Sequence, residues 1–151
     1  MVGSSYARIF TINYEWANVL GDTYDDYCTE RYDYYYDLYY LSILSGAITT
    51  DTLLNMAIAD ADDYIVELRN STKAECKKSK ANFSAVFGAD NVMDFWNNYY
   101  GRSYASSYSS LTPAEAYETA KSNSVIIESS SNVTSSKITT VYNSNWWYTG
   151  N

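Results

Sequence analysis

Residues 6–44 read YARIFTINYEWANVLGDTYDDYCTERYDYYYDLYYLSIL, and the spacing of their apolar side chains decides the fold class. Ile9, Asn13, Trp16, Val19/Leu20, Tyr24, Tyr27/Cys28, Arg31, Tyr34/Tyr35, Leu38, Leu41 and Leu44 recur at three- and four-residue intervals, interrupted only by Asn13 and Arg31. This is one face of a 3.6-residue period held for roughly ten turns, which an alternating strand does not produce. Gly46 supplies a natural stop. Gly21-Asp22-Thr23 is the weak point, because Gly21 can end one helix and Asp22 or Thr23 can cap another. The spacing predicts a nearly continuous helix with a kink or short break there.

A second helix starts at Thr50 or Asp51, both good N-caps. Leu54, Ala57/Ile58, Ala61, Tyr64/Ile65, Leu68, Thr72, Cys76, Ser79, Phe83 and Val86/Phe87 keep the same period up to Gly88. The stripe thins between Asn70 and Ala81, which predicts a bend or a solvent-facing stretch. Two long helices joined by so short a connection run antiparallel. An elongated αα-hairpin over residues 6–87 is therefore the expected core. Folding it about residue 48 leaves Cys28 and Cys76 out of level by roughly 12 Å, beyond the ~7 Å Cα limit of a disulfide. Both cysteines are expected to be free and buried on the stripe, unless a break at Gly21 or a bend at Asn70 shifts the register.

The last third changes character. Asp90 is expected to cap a short aromatic helix, 92–100, ended by Gly101, with a Ser/Tyr-rich link over 103–110. Thr112-Pro113-Ala114-Glu115 is a strong helix start, with cap, proline and glutamate in the positions of a capping box. That helix should reach about Ser122. Residues 124–128 and 137–142 are rich in β-branched side chains and are separated by a polar stretch, so they read as a small β-hairpin. The tail, 143–151, is polar except for Trp146, Trp147 and Tyr148. The expected fold is mainly α (α+β) in one domain over 1–151: a helical hairpin over 6–87, short helices and link over 90–122, and a β-hairpin with aromatic tail over 124–151.

Composition narrows the function. The 151 residues carry 10 basic and 18 acidic side chains, no histidine, and a net charge of −8. A binder held by nucleic-acid phosphates needs a basic face, so direct nucleic-acid binding is not expected. Without histidine there is no Ser-His-Asp or Cys-His nucleophile and no His-ligated metal. No apolar run approaches the roughly 20 residues of a membrane span, and Met1 to Tyr6 lack the basic start and apolar stretch of a signal peptide. Asp60, Asp63 and Glu67 share a helix face. Calcium ligands need a tight loop and di-metal bundles need histidine, so that face is expected to be solvated. Catalytic carboxylates need a cleft that drives their pKa values apart, whereas the acids here cluster on helices and at caps. Neither an enzyme nor a cofactor is expected.

Charge and aromatic side chains point to association. Asp22, Asp25, Asp26, Glu30, Asp33 and Asp37 surround Arg31 alone, while Lys73, Lys77, Lys78 and Lys80 form the densest basic stretch. These charges can set register within the hairpin, and the acid left over can meet a basic surface on another subunit. Asn70, Asn82 and Asn132 begin glycosylation triplets, of which Asn132, in the polar loop, is the one expected to be accessible. Trp146, Trp147 and Tyr148 either fold back as a final strand or stack on a ligand such as a glycan. Eight of the 18 tyrosines lie between Tyr24 and Tyr40. Tyr32, Tyr35, Tyr36, Tyr39 and Tyr40 widen the aromatic band beyond what one partner helix can cover, and tyrosine suits a contact boundary. The expectation is a non-enzymatic structural protein that self-assembles as a homo-oligomer through these tyrosines. Its composition has the general look of a viral structural protein or extracellular filament subunit, in a virion or extracellular setting. The alternative is a carbohydrate- or surface-binding module using the C-terminal aromatics.

Overall fold

The computed structural model describes residues 4–107 and 110–149. The expectations for residues 1–3, for Tyr108 and Ser109 in the Ser/Tyr link, and for Gly150 and Asn151 in the tail lie outside them. The protein is 81% helical and mainly α, and no strand occurs among the described residues. Its helices are α1 (Ser4–Leu38), α2 (Tyr40–Leu44), α3 (Thr50–Lys78), α4 (Lys80–Val86), α5 (Ala89–Ser107), α6 (Pro113–Ser122) and α7 (Ser135–Asn143), with a 3-10 turn at Ser130–Asn132 before α7. They pack as two compact units, one from Met1–Ala17 and Lys73–Asn151, the other from Asn18–Thr72.

The helix boundaries follow local chemistry more closely than periodicity. α1 passes through Gly21 without a break. A mid-helix glycine costs about 1 kcal/mol, offset on this stretch by buried Leu20 and by the Tyr24 hydroxyl, which donates to Asp62 Oδ1 at 3.1 Å. Tyr39 alone leaves the helical region (φ −105°, ψ 14°) before α2 continues the chain. Gly46 then ends α2 with φ +74°, a left-handed conformation that favours glycine. Its N–H donates to the Ile43 carbonyl at 2.9 Å, and the Ala47 N–H to that of Ser42 at 2.9 Å. The stretch between Asn70 and Ala81, the expected place of a bend or solvent exposure, holds a full interruption, and the second helix is two helices. Ser79 turns extended (φ −161°, ψ 155°), and its hydroxyl accepts from the Asn82 N–H at 3.0 Å to cap α4. At α6 the full capping box of Thr112 and Glu115 is present.

The C-terminal β-hairpin is not formed. Residues 124–128 have no partner strand; their backbone groups bond to side chains of α5 instead. Asn97 donates from Nδ2 to the Ile127 carbonyl at 2.8 Å and accepts the Ile127 N–H on Oδ1 at 2.9 Å. Trp96 Nε1 donates to the Val125 carbonyl at 2.7 Å. The second β-branched run is helix α7, capped by Thr134. Within it the Thr139 and Thr140 hydroxyls bond the carbonyls one turn back at 2.9 and 3.0 Å, and Val141 is fully buried. Burial of one face outweighs the modest β preference of such residues. α5 likewise runs through Gly101, the expected stop, to Ser107.

The core of the first unit is aromatic. Trp16, Phe83, Phe87, Phe95 and Trp147 are all at least 98% buried. Phe87 is its hub, with ring centroids 4.8 Å from Trp16, 5.1 Å from Phe83 and 5.1 Å from Phe95. Such edge-to-face and tilted contacts add to the area each ring removes from water. Cys76 lies in this core, and burial pushes its thiol up to about 11. In the second unit α1 and α3 run antiparallel: Tyr27 stacks on Tyr64 at 4.1 Å, and Arg31, a turn on, meets Asp60, a turn back. Cys28, in this unit, is half-buried, and both cysteines are free.

Two outcomes test this core. Trp147→Ala should lower unfolding stability by about 3–5 kcal/mol, the usual cost of emptying a large aromatic site, read from the urea midpoint. Native protein should react quickly with a thiol reagent at Cys28 only, and at Cys76 only after unfolding.

Candidate functional site

Arg31 interrupts the apolar stripe because it has a partner across the second unit. Its Nε donates to Asp60 Oδ2 at 2.7 Å, and the Tyr35 hydroxyl donates to the same oxygen at 2.8 Å. Arg31 Nη2 also donates to the Tyr35 hydroxyl oxygen at 3.1 Å, closing the triangle. The guanidinium lies 4.6 Å from the Tyr34 ring centroid and 4.9 Å from that of Tyr35. The Tyr35 hydroxyl, and then Arg31, hold the Asp60 carboxyl below its ordinary value of 3.8. Its own bonds, to the Tyr35 hydroxyl and then to Asp60, raise the pKa of Arg31.

The five tyrosines expected at an interface are split by this arrangement. Tyr35 is tied into the triangle, and Tyr32 and Tyr39 are half-buried. Tyr36 and Tyr40 are exposed, with Tyr36 6.3 Å from the Tyr32 ring and 6.2 Å from that of Tyr40. The side chains that sequence reasoning missed are Leu38, Leu41 and Leu44, exposed by 57%, 78% and 66%. Periodicity assigns them to the inner stripe. α3, which begins at Thr50, buries Leu53 in its first turn but leaves these three leucines uncovered. One signal was available in the sequence: no charged residue occurs from Leu38 to Thr50, in a unit whose eleven acids face only Arg31 and Arg69 as bases.

The C-terminal aromatics belong to the first unit and have three different fates. Asn145 takes a left-handed φ of 52° after α7 and turns the chain back. Trp147 is thereby fully buried; its Nε1 donates to the Tyr142 carbonyl at 3.3 Å, and its carbonyl accepts from Trp16 Nε1 at 3.1 Å. That removes Trp147 from any ligand-stacking surface. Trp146 is half-buried and stacked on Tyr99, with centroids 3.8 Å apart and planes 10° apart. Tyr148 receives Lys77 Nζ 3.7 Å from its ring centroid. The tail folds back as a turn rather than as a strand.

Asn132 is exposed, as is Asn70, while Asn82 is half-buried and donates from Nδ2 to the Glu75 carbonyl at 3.1 Å. Asp63 and Glu67 are exposed, whereas Asp60 is engaged with Arg31 and Tyr35. Among the described residues no group of three or more His, Cys, Asp or Glu side chains could hold a metal ion. No helix among them is long and apolar enough to cross a membrane. A cleft of about 820 Å³ lies between α5 and α6, lined by Met93, Tyr104, Leu111, Tyr117 and Ile126 among others. Two of its polar side chains are already engaged: Asn97 binds the backbone of Ile127, and Glu128 pairs with Lys121 at 2.7 Å. A smaller pocket of about 550 Å³ is lined by Arg8, Arg102, Tyr99, Trp146 and serines. Comparison with protein-family models, with curated proteins and with solved structures finds no match to this chain.

The Asp60 triangle has a pH signature. A carboxyl whose folded pKa is depressed stabilises the fold fully above its unfolded value and loses that contribution as pH falls through the folded one. Thermal stability should therefore drop on acidification from about pH 5 toward pH 3. Asp60→Asn should be less stable than the parent at pH 6 and lose less between pH 6 and pH 3. An equal loss in both proteins would show that other carboxylates set the acid response.

Proposed function

We propose that this chain is a non-enzymatic structural subunit that associates with copies of itself through the end of the Asn18–Thr72 unit. The observation that carries this reading is the uncharged tip, where Leu38, Leu41 and Leu44 stand exposed beside Tyr36 and Tyr40. An apolar patch of this kind, rimmed by charge, is a common mark of an association surface. The charge distribution favours a second copy meeting tip to tip. Acids distributed along α1 and α3 repel their counterparts in side-by-side packing, while the charge-free tip carries no such penalty. Tyr36 and Tyr40 suit the margin of that contact, since each ring buries area and keeps its hydroxyl at water. A virion or extracellular filament is the setting in which such a subunit would serve.

A second reading rests on the aromatic tail. Surface recognition by stacking keeps Trp146, now with Tyr99 stacked beside it, and no longer involves Trp147.

Light scattering across a concentration series tests the assembly. The parent protein should grow beyond monomer mass as concentration rises, and the double substitution Leu41→Glu with Leu44→Glu should hold it at monomer mass without loss of helicity. Parent protein that stays monomeric at millimolar concentration would reject the reading.

A further inference from the structure

Two guanidinium groups converge on one pocket of the first unit, and no acid is among the described residues that line it. Arg8 on α1 and Arg102 on α5 line it with Tyr99, Trp146 and four serines. Each is held by neutral partners. Arg8 Nη2 donates to the carbonyls of Asn145 at 3.3 Å and Tyr148 at 3.1 Å, and Arg102 Nη1 donates to Thr11 Oγ1 at 3.0 Å. The ion pairs Arg31–Asp60, Lys78–Glu75 and Lys121–Glu128 all lie elsewhere. In a chain with 18 acids and 10 bases, two arginines share a pocket whose described lining holds no carboxylate.

The pair is electrostatically uncomfortable as it stands. Burial, and then the charge of Arg8, lower the pKa of Arg102. An oxyanion between the two groups would relieve that repulsion and accept their remaining N–H donors, and the guanidinium fork matches carboxylate and sulfate geometry. The rest of the wall suits a polyhydroxylated ring. The Tyr99–Trp146 stack supplies an aromatic plate in which Tyr99 as a whole is 38% exposed, and the four serines supply hydroxyls that both donate and accept. The volume of about 550 Å³ lies in the range of small-molecule sites.

We infer that this pocket is a binding site for an acidic sugar, with Arg8 and Arg102 taking its carboxylate or sulfate and the Tyr99–Trp146 plate taking its ring. This site belongs to a different unit from the uncharged tip, so binding and self-association stand or fall separately.

Titration of the full chain, followed by tryptophan fluorescence, tests the assignment with four probes: glucuronic acid, glucose 6-sulfate, glucose and inorganic sulfate. A saturable change is expected with at least one acidic sugar, and which one responds identifies the anion. Glucose and inorganic sulfate should each bind about tenfold more weakly or worse, since each lacks one half of the recognition. Arg102→Gln should weaken the acidic sugar by about tenfold or more, as expected for losing charge-assisted hydrogen bonds. Ser103→Asp serves as the second variant, because Ser103 is exposed and its replacement sets a carboxylate in the pocket wall. It should abolish binding with the helical circular dichroism unchanged. No saturable change with either acidic sugar up to tens of millimolar, or unaltered affinity in folded Ser103→Asp, would overturn the site. Inorganic sulfate binding as tightly as the sugars would overturn its assignment to a sugar.

Discussion

The indole N–H of Trp16 donates to the carbonyl of Trp147 across 131 residues of sequence, inside a core where both rings are almost wholly removed from water. A buried backbone carbonyl without a donor would cost roughly 1–3 kcal/mol, so this bond favours closure of the aromatic cluster by about that much. Much of the first unit follows from it. α7 must end where Asn145 can reverse the chain, and Trp146 is carried onto Tyr99 by the same turn. Arg8 can then reach the carbonyls of Asn145 and Tyr148, which brings its charge to the pocket that Arg102 also lines.

Aromatic side chains do different work in the two units. In the first they fill the interior, and Phe87 touches Trp16, Phe83, Phe95 and Trp147. In the second, tyrosines sit at the margin between packing and water: Tyr27 and Tyr64 stack, Tyr35 closes a charged triangle, and Tyr36 and Tyr40 face outward. Charge is divided just as unevenly. The residues from Asn18 to Thr72 hold eleven of the 18 acids, yet the stretch from Leu38 to Thr50 holds none. Such segregation keeps the flanks soluble and leaves one end free of repulsion, the property on which the proposed assembly rests.

The helical class, the Gly46 stop and the capping box at Thr112 were legible in the residues, because each depends on neighbours within a turn or two. A bend before Ala81 was legible in the thinning stripe, but not that it is a full interruption at Ser79. Periodicity carries no record of a hydroxyl that accepts the Asn82 N–H in place of the next helical bond. The tyrosine band was visible as a band, but its division into engaged Tyr35 and exposed Tyr40 turns on where Asp60 stands. The leucines of the tip were misplaced because a stripe shows which face is apolar and not which of its residues a neighbour covers.

By itself the sequence determined two long helical segments turning at Gly46, an acidic chain without histidine, and a concentration of tyrosine on one of those segments; local propensity, spacing and composition suffice for all of these. Tertiary structure alone decided that residues 124–128 bond to Asn97 and Trp96 instead of forming a strand, and that the run containing Val141 coils into α7. It also decided that Trp147 is core while Trp146 lines a pocket with Arg8 and Arg102. The reason is the same in each case. A β-branched run or a pair of tryptophans is compatible with several local conformations that differ by about 1 kcal/mol or less per residue. The larger free energy of burying one face against distant residues selects among them.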